Sequence, residues 1–307
     1  MFETKRITMA YNSAKKIDID NDTKIAIISD CHRGTGGGAD NFAQNQLLLY
    51  HALSTYYREG FSYIELGDGD ELWESRSMDK IKEEYDHIFD LLARMYRDGK
   101  FLMIYGNHDI VKRSSKWCRE NLAKIHEHNC TKERELFGDI NVHQAIVLKE
   151  KGTFHEILLI HGHQADFLND QLWRLSRFLV RYIWHPLELI GIKNPTSTSI
   201  NAKKKDKVEK ILMDWCSKNG KAIVAGHTHR PMYPLPGEVP YFNDGSCVHP
   251  RYITAIEIVG GEISIVKWEV EVQENSMLTI EKRILCGPYA IESYFVNLMK
   301  DQKSIVE

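Results

Sequence analysis

Three short apolar runs, at residues 24–29, 61–66 and 100–105, each end abruptly in glycine or a polar side chain, and the first two lead into helix-periodic segments. Apolar runs of this length, bounded by turn residues, read as buried strands. Asp30 and a Gly-rich stretch from Gly34 to Gly38 follow the first run. Residues 41–59 then repeat Phe42, Leu48, Leu49, Ala52 and Tyr56 at helical spacing. The second run ends at Gly67-Asp68 and precedes a helix over 78–98; the third ends at Gly106-Asn107-His108-Asp109. Strand, polar loop and helix in repetition predict an α/β sheet of βαβ units. In such a sheet, ligands bind in the crevice at the carboxyl ends of the strands.

The second half of the sequence changes rhythm. Residues 140–148, 156–160, 222–225, 252–259 and 263–270 read as strands joined mostly by short links. A second, partly antiparallel sheet packed on the first, with helices outside, accounts for them. Residues 289–300, through Ile291, Phe295, Leu298 and Met299, are expected to form a covering helix. Within a single domain over 1–307, residues 164–220 read as a helical, cap-like insertion. It comprises 167–184, closed by His185-Pro186, a loop containing Asn194-Pro195-Thr196, and a Lys-rich helix over 202–218.

Composition narrows the function classes. The 307 residues are 43% hydrophobic, enough for a large core, and 27% charged with both signs well mixed, which excludes a disordered chain. With 40 Lys+Arg against 43 Asp+Glu the net charge is −3, which argues against nucleic acid bound through bulk charge. No apolar run is long enough to span a bilayer, and Glu3, Lys5 and Arg6 stand where a signal peptide has its apolar stretch. Cys31, Cys118, Cys130, Cys216, Cys247 and Cys286 form no C-x-x-C pair and read as reduced thiols of a cytoplasmic protein.

The strand ends carry the chemistry. Asp30-x-His32, Asp68, Asn107, His161 and His227-x-His229 offer metal-ligating side chains, in order, at five strand ends. Alternate residues of an extended segment face one way. Asp30 and His32 are therefore expected on one side, as are His227 and His229, with Cys31 turned away and packed. Gly67, Gly106 and Gly226 precede ligands and Gly162 adjoins His161; glycine lets the chain leave a strand sharply and approach a metal closely. A single histidine after a strand is ordinarily structural. The joint occurrence of the whole set is what points to a metal centre.

Asp30-x-His32, Gly67-Asp68, Gly106-Asn107-His108-Asp109, His161-Gly162-His163 and Gly226-His227-Thr228-His229 together resemble the signature of the calcineurin-like metallophosphoesterases. The resemblance covers most of the chain and implies a four-layer αββα sandwich. It also implies two divalent metal ions. Asp30, His32 and His229 would hold one, Asn107, His161 and His227 the other, and Asp68 would bridge them. Mixed carboxylate, amide and imidazole ligands suit Mn²⁺, the expected metal, or Fe or Zn²⁺, rather than Ca²⁺. Two such ions roughly 3.5–4 Å apart activate water and neutralise phosphoryl oxygens, so no protein nucleophile is required. The resemblance makes His108 a general acid or transition-state donor at the leaving oxygen, with Asp109 fixing its tautomer. Arg33 is a candidate for bidentate capture of a phosphate. Asp70 or Glu71 is a candidate to support an imidazole from behind.

Drawn as one helix, residues 167–184 place Leu168, Leu172, Leu175, Leu179 and Ile183 in a stripe expected to pack on the body. Arg174, Arg177 and Arg181 share another face, with Trp173, Val180 and Trp184 beside them. Arginines rimming an apolar patch suit a substrate with a greasy part and a phosphate, or peripheral contact with the inner face of a membrane. Burial of the two tryptophans under neighbouring segments is the competing reading. The insertion, residues 226–231 and residues 245–251 resemble the UDP-2,3-diacylglucosamine pyrophosphatase branch of the family. His108 departs from it, standing where that branch carries arginine, and is more like the family's phosphomonoesterases and diesterases. The expected function is hydrolysis of a phosphoric ester or pyrophosphate in a phosphorylated small-molecule or lipid-nucleotide substrate. A protein Ser/Thr phosphatase, a nuclease and a non-catalytic scaffold are the alternatives.

Overall fold

Side chains of the strand Lys24–Ile28 alternate, with Ile25 and Ile27 on one face and Ala26 and Ile28 on the other, and both faces are apolar because both are covered. The computed structural model describes residues 2–38, 40–126, 133–184 and 201–296. On one side, Ile25, Ile27, Ile64, Leu66 and Ile104 meet Ile146, Leu148, Ile157, Leu159 and Val224 of a second sheet. On the other, Ala26, Ile28, Tyr63 and Met103 pack under Leu49, Ala52, Leu53, Phe89 and Leu92 of the helices Gln46–Arg58 and Asp86–Arg97. The outer face of the second sheet, through Val147, Leu158, Ile160 and Ile223, is closed by two further helices. Phe2–Asn12 supplies Ile7 and Ala10, and Ala202–Asn219 supplies Val208, Leu212 and Trp215. The layers run helix, sheet, sheet, helix, which is the αββα sandwich. The Lys-rich helix, expected within the insertion, is thus part of the sandwich's outer layer.

The first sheet has seven strands in the order Leu278–Ala290, Glu262–Val272, Tyr252–Val259, Lys24–Ile28, Ser62–Leu66, Phe101–Ile104 and Val142–His143. The last four are parallel and the first three join antiparallel. The second sheet has five, in the order Lys15–Ile19, Ala145–Glu150, Glu156–Ile160, Ala222–Ala225 and Tyr241–Asn243. Two expectations are corrected here. Tyr252–Val259 and Glu262–Val272 extend the first sheet rather than the second, because Tyr252–Val259 pairs with Lys24–Ile28, from Ile256 opposite Ile27 to Val259 opposite Lys24. The expected helix over 289–300 is instead the end of a strand, Leu278–Ala290, followed by a 3₁₀ turn, Ile291–Tyr294; residues 297–300 lie outside the described ones. Ile291 and Phe295 are nevertheless buried between the sheets.

The helix expected over 78–98 is two, Met78–Glu84 and Asp86–Arg97. Tyr85 leaves helical geometry between them, buries its ring against Phe42 and donates its hydroxyl to Asp40 at 2.5 Å. The segment 167–184 is also broken, into Phe167–Asp170, Trp173–Leu179 and a π-helical turn over Val180–Trp184. His185-Pro186, Asn194-Pro195-Thr196 and Cys130 lie outside the described residues. The other five cysteines are free thiols. Among the described residues, no helix is long and apolar enough to cross a membrane.

Candidate metal centre

Beyond their hydrogen-bonded strands, the first two loops stay side by side. Asp30 N donates to Gly67 O at 3.1 Å, His32 N to Asp68 O at 2.9 Å and Arg33 N to Gly69 O at 3.0 Å. The register of the parallel pair therefore delivers Asp68 beside His32. Asp30, His32, Asp68, His227 and His229 all have positive φ, between 49° and 68°. Only Arg251 and Ser276 join them among the described non-glycine residues. Left-handed backbone at such residues costs about 1–3 kcal/mol each and concentrates at functional sites. Asp30 and His32 do come together, with His32 Nε2 3.5 Å from Asp30 Oδ1, but through these turns and not through the alternation of an extended strand, while His227 and His229 fall in different groups of donors. Two glycines make room for the crossing chains. A Cβ at Gly106 would lie 2.5 Å from the Asp68 backbone nitrogen, and one at Gly226 would lie 2.6 Å from Asp30 Oδ2.

Two groups of donor atoms converge. In the first, His229 Nε2 lies 3.0 Å from Asp30 Oδ1 and 3.3 Å from His32 Nε2. In the second, made of Asp68, His161 and His227, His161 Nε2 lies 3.1 Å from Asp68 Oδ2. One donor atom from each residue lies within 4.8 Å of the others in its group. The groups adjoin, with Asp68 Oδ2 3.9 Å from His32 Nε2 and Asp30 Oδ1 4.0 Å from His161 Nε2. Both polar atoms of Asn107 are buried with no hydrogen-bond partner among the described residues, and Asp30 Oδ1 and His161 Nε2, though close to their fellow donors, make no hydrogen bond of good geometry. Each such orphan costs about 1–3 kcal/mol. A divalent cation satisfies the oxygen and imidazole donors together, and this mixed set fits Mn²⁺, Fe or Zn²⁺.

Partners behind the imidazoles decide which nitrogen faces the centre. Glu71 takes His32 Nδ1 at 2.8 Å and His108 Nδ1 at 2.9 Å, leaving Nε2 of both facing outward from the carboxylate. His161 Nδ1 donates to Leu66 O at 3.0 Å. His227 Nε2 lies 3.3 Å from Asp166 Oδ2, which Lys204 Nζ approaches at 3.0 Å. Asp109, expected to fix the His108 tautomer, does something else. Its carboxylate accepts from Gly106 N, Gly69 N and Lys112 Nζ at 2.7, 3.2 and 2.8 Å, bracing the loops from beneath. Glu71 is the partner of His108, and the Trp73 ring stacks on it at 4.2 Å. Asp166 and Trp73 belong to no recognisable motif, and only the fold brings them here.

Charge outweighs burial at Asp68 and His161, whereas burial prevails at His227, His229 and Asp244. Burial opposes ionisation of Asp68, but His161, His108 and His32 hold its carboxyl well below the usual range. Burial also works against a charged His161, yet Asp68 and Asp30 lift it to about 9. His227 and His229 go down, chiefly through burial. Asp244 is pushed well up, first by burial and then by the Asp30 charge. The Ser29 hydroxyl lies between the two carboxylates, 2.7 Å from Asp244 Oδ1 and 2.5 Å from Asp30 Oδ2.

Arg33 does not reach the crevice. It is fully buried, with Nε 2.7 Å from Asp70 Oδ1 and its two terminal nitrogens 2.7 and 3.0 Å from the Glu65 carboxylate. Lys112 Nζ, 2.6 Å from Asp70 Oδ2, completes a charge network under the site. The insertion is also turned relative to expectation. Leu168, Leu172, Leu175 and Ile183 of the supposed core stripe are exposed and Leu179 is half-buried. What docks the segment is Arg181, whose guanidinium donates to the carbonyls of Trp73, Leu72 and Ser75 at 2.6, 2.8 and 3.2 Å. Trp173 and Trp184 are half-buried, Arg177 is half-buried and Arg174 is exposed.

No curated protein matches the sequence significantly. Among solved structures, Vps29 from Chaetomium thermophilum is similar at 11% identity, over 86% of this chain and 95% of that one. Its TM-score of 0.38 is too low to carry an argument about function. The profile of the calcineurin-like phosphoesterases matches residues 23–231, more than half of the chain, including Asp30, His32, Asp68, Asn107, His161, His227 and His229. A profile match of that extent, on a helix–sheet–sheet–helix sandwich with the matched side chains gathered at one crevice, makes this chain a member of the calcineurin-like phosphoesterase family, whose members are generally metal-dependent phosphoester hydrolases.

Proposed function

We propose that the protein hydrolyses phosphoric esters or pyrophosphates at a dinuclear metal centre. Asp30, His32 and His229 hold one ion, Asn107, His161 and His227 the other, and Asp68 bridges them. The observation that carries the reading is the convergence of two adjoining His/Asp groups with buried donor atoms left unpaired. Two bound divalent ions supply an activated water and neutralise the phosphoryl oxygens. The chain's own part is to hold the ligands in strained, preorganised turns and to place a proton donor. His108 is that donor: its backbone N–H binds Asp68 Oδ1 at 2.8 Å, its Nδ1 meets Glu71, and Nε2 is left for the leaving oxygen.

The substrate we propose is a phosphorylated small molecule or lipid-nucleotide. The discriminating experiment is a hydrolysis screen with Mn²⁺ over an aryl phosphomonoester, an aryl phosphodiester, a nucleotide-sugar pyrophosphate, a diacylated UDP-sugar and a phosphopeptide. Turnover of the phosphopeptide alone would replace this reading with a protein phosphatase, and no turnover of any would leave a metal-binding scaffold. His108→Ala should keep near-normal metal content while kcat falls by about 10²–10⁴. Loss of metal instead would make His108 a ligand.

Metal uptake should release protons. His161, lifted to about 9 by Asp68 and Asp30 against its burial, is protonated at neutral pH and must lose that proton to coordinate. Apparent affinity should therefore rise with pH up to about 9 and then level off. Calorimetry in buffers of different ionisation enthalpy counts the protons, and a binding heat independent of buffer would contradict the assignment.

A further inference from the structure

Near Trp73 and His108 the protein carries a concentration of positive charge that the net charge of −3 gives no reason to expect. Three guanidiniums surround one indole. Arg177, Arg174 and Arg113 have their Cζ atoms 4.9, 5.5 and 5.6 Å from the Trp173 ring centroid. They come from two elements, the helix Trp173–Leu179 and the 3₁₀ turn Ile110–Arg113, which begins directly after His108-Asp109. Arg181, one turn beyond Arg177, grips the carbonyls around Trp73, the residue stacked on His108, so the cluster sits beside the proposed proton donor. Among the described residues, no carboxylate lies within ion-pair distance of Arg113, Arg174 or Arg177, whereas the deeper Arg33 has two. Arg177 and Arg76 act on Arg181, after its burial, to lower its affinity for a proton, a sign of like charges crowded together. A guanidinium held near an indole by cation–π attraction keeps N–H groups available, and their fork matches two oxygens of a phosphate.

We propose that Arg113, Arg174 and Arg177, gathered around Trp173, form a second anion subsite that takes a phosphate group of the ligand other than the one at the metal centre. The substrate class is thereby narrowed to molecules carrying two phosphate-type groups, the distal one either soluble or on a lipid. As a substrate subsite the cluster rests on the hydrolase reading; as an anion site it does not, and the two can fail separately.

The test uses the full chain stripped of metal by chelation. Calorimetric titration with inorganic pyrophosphate at low ionic strength should give one site per chain, weakened by added salt. Arg174→Gln/Arg177→Gln and, separately, Arg113→Gln should each weaken it about tenfold or more, with unchanged thermal melts showing that the variants fold. A parallel flotation assay compares phosphatidylcholine vesicles with and without phosphatidic acid. Arginine-dependent binding to the doped vesicles alone would identify a lipid-borne phosphate. Pyrophosphate affinity unaltered in both variants, or binding of neither probe by the unmodified chain, would overturn the proposal. Because no metal is present, loss or retention of hydrolysis in site variants does not bear on the result.

Discussion

Asp68→Ala should reduce hydrolysis of every phosphoester substrate by at least on the order of 10²–10³ and lower the metal content below two per chain. Asp68 is the carboxylate of the second group of donors and the one that reaches toward the first. Its Oδ2 lies 3.1 Å from His161 Nε2 and 3.9 Å from His32 Nε2, while Oδ1 accepts the His108 backbone N–H at 2.8 Å. On the proposed dinuclear reading, removing it would delete the bridge and leave imidazoles from both sides without the charge between them. The position is also conformationally unusual, with φ 49°. Alanine is strained there by about 1–2 kcal/mol, whereas asparagine tolerates left-handed backbone. Asp68→Asn is therefore the control that keeps the turn and removes the charge. If both variants lose turnover and metal while Asp68→Asn melts like the parent, the bridge is the cause. Near-normal turnover in Asp68→Ala, measured with elemental analysis on the same sample, would sink the dinuclear reading.

Arg33→Met should cost about 3–5 kcal/mol of folding stability, read from the denaturant midpoint. The substitution leaves the carboxyl groups of Glu65 and Asp70 fully buried and deprived of the fork that pairs them, with Lys112 as the remaining cation. Arg33→Lys should recover only part of the loss, since one ammonium cannot reproduce three directed N–H contacts. A pH dependence goes with it. Burial opposes the Asp70 charge, but Arg33 and Lys112 outweigh it and bring the carboxyl down to about 2. A carboxyl depressed in the folded state stabilises fully above its unfolded value of about 3.9, and that contribution disappears as pH falls toward the folded value. For the parent chain, this part of the stability should be lost between about pH 4 and about pH 2. In Arg33→Met the loss should begin at higher pH, because the cation that does most to offset burial is gone. An unchanged midpoint combined with weakened phosphate binding would return Arg33 to the role of phosphate clamp.

Some of this protein follows from local sequence alone. The runs at 24–29, 61–66 and 100–105 had to be buried strands, since they are short, apolar and closed by glycine or carboxylate, and each is one within a residue or so. Metal-capable side chains stand at their ends in the sequence itself, so the composition of the candidate centre was legible without coordinates. Strand partners were not. Tyr252–Val259 looks the same whichever sheet it joins, and only its pairing with Lys24–Ile28 decides. The strand Leu278–Ala290 was hidden by Lys282, Arg283 and the Gly287-Pro288 break within it. Likewise Asp109 stands next to His108 in the chain, yet Glu71, in a different loop, holds its imidazole. Arg33 follows a ligand and faces inward, and the insertion is fixed by Arg181 rather than by its leucines. The sequence by itself determined which chemical groups end the strands, because apolar runs and their terminators are local. Tertiary structure alone decided which charges meet and which face of a segment is covered, because those depend on elements far apart in the chain brought to contact.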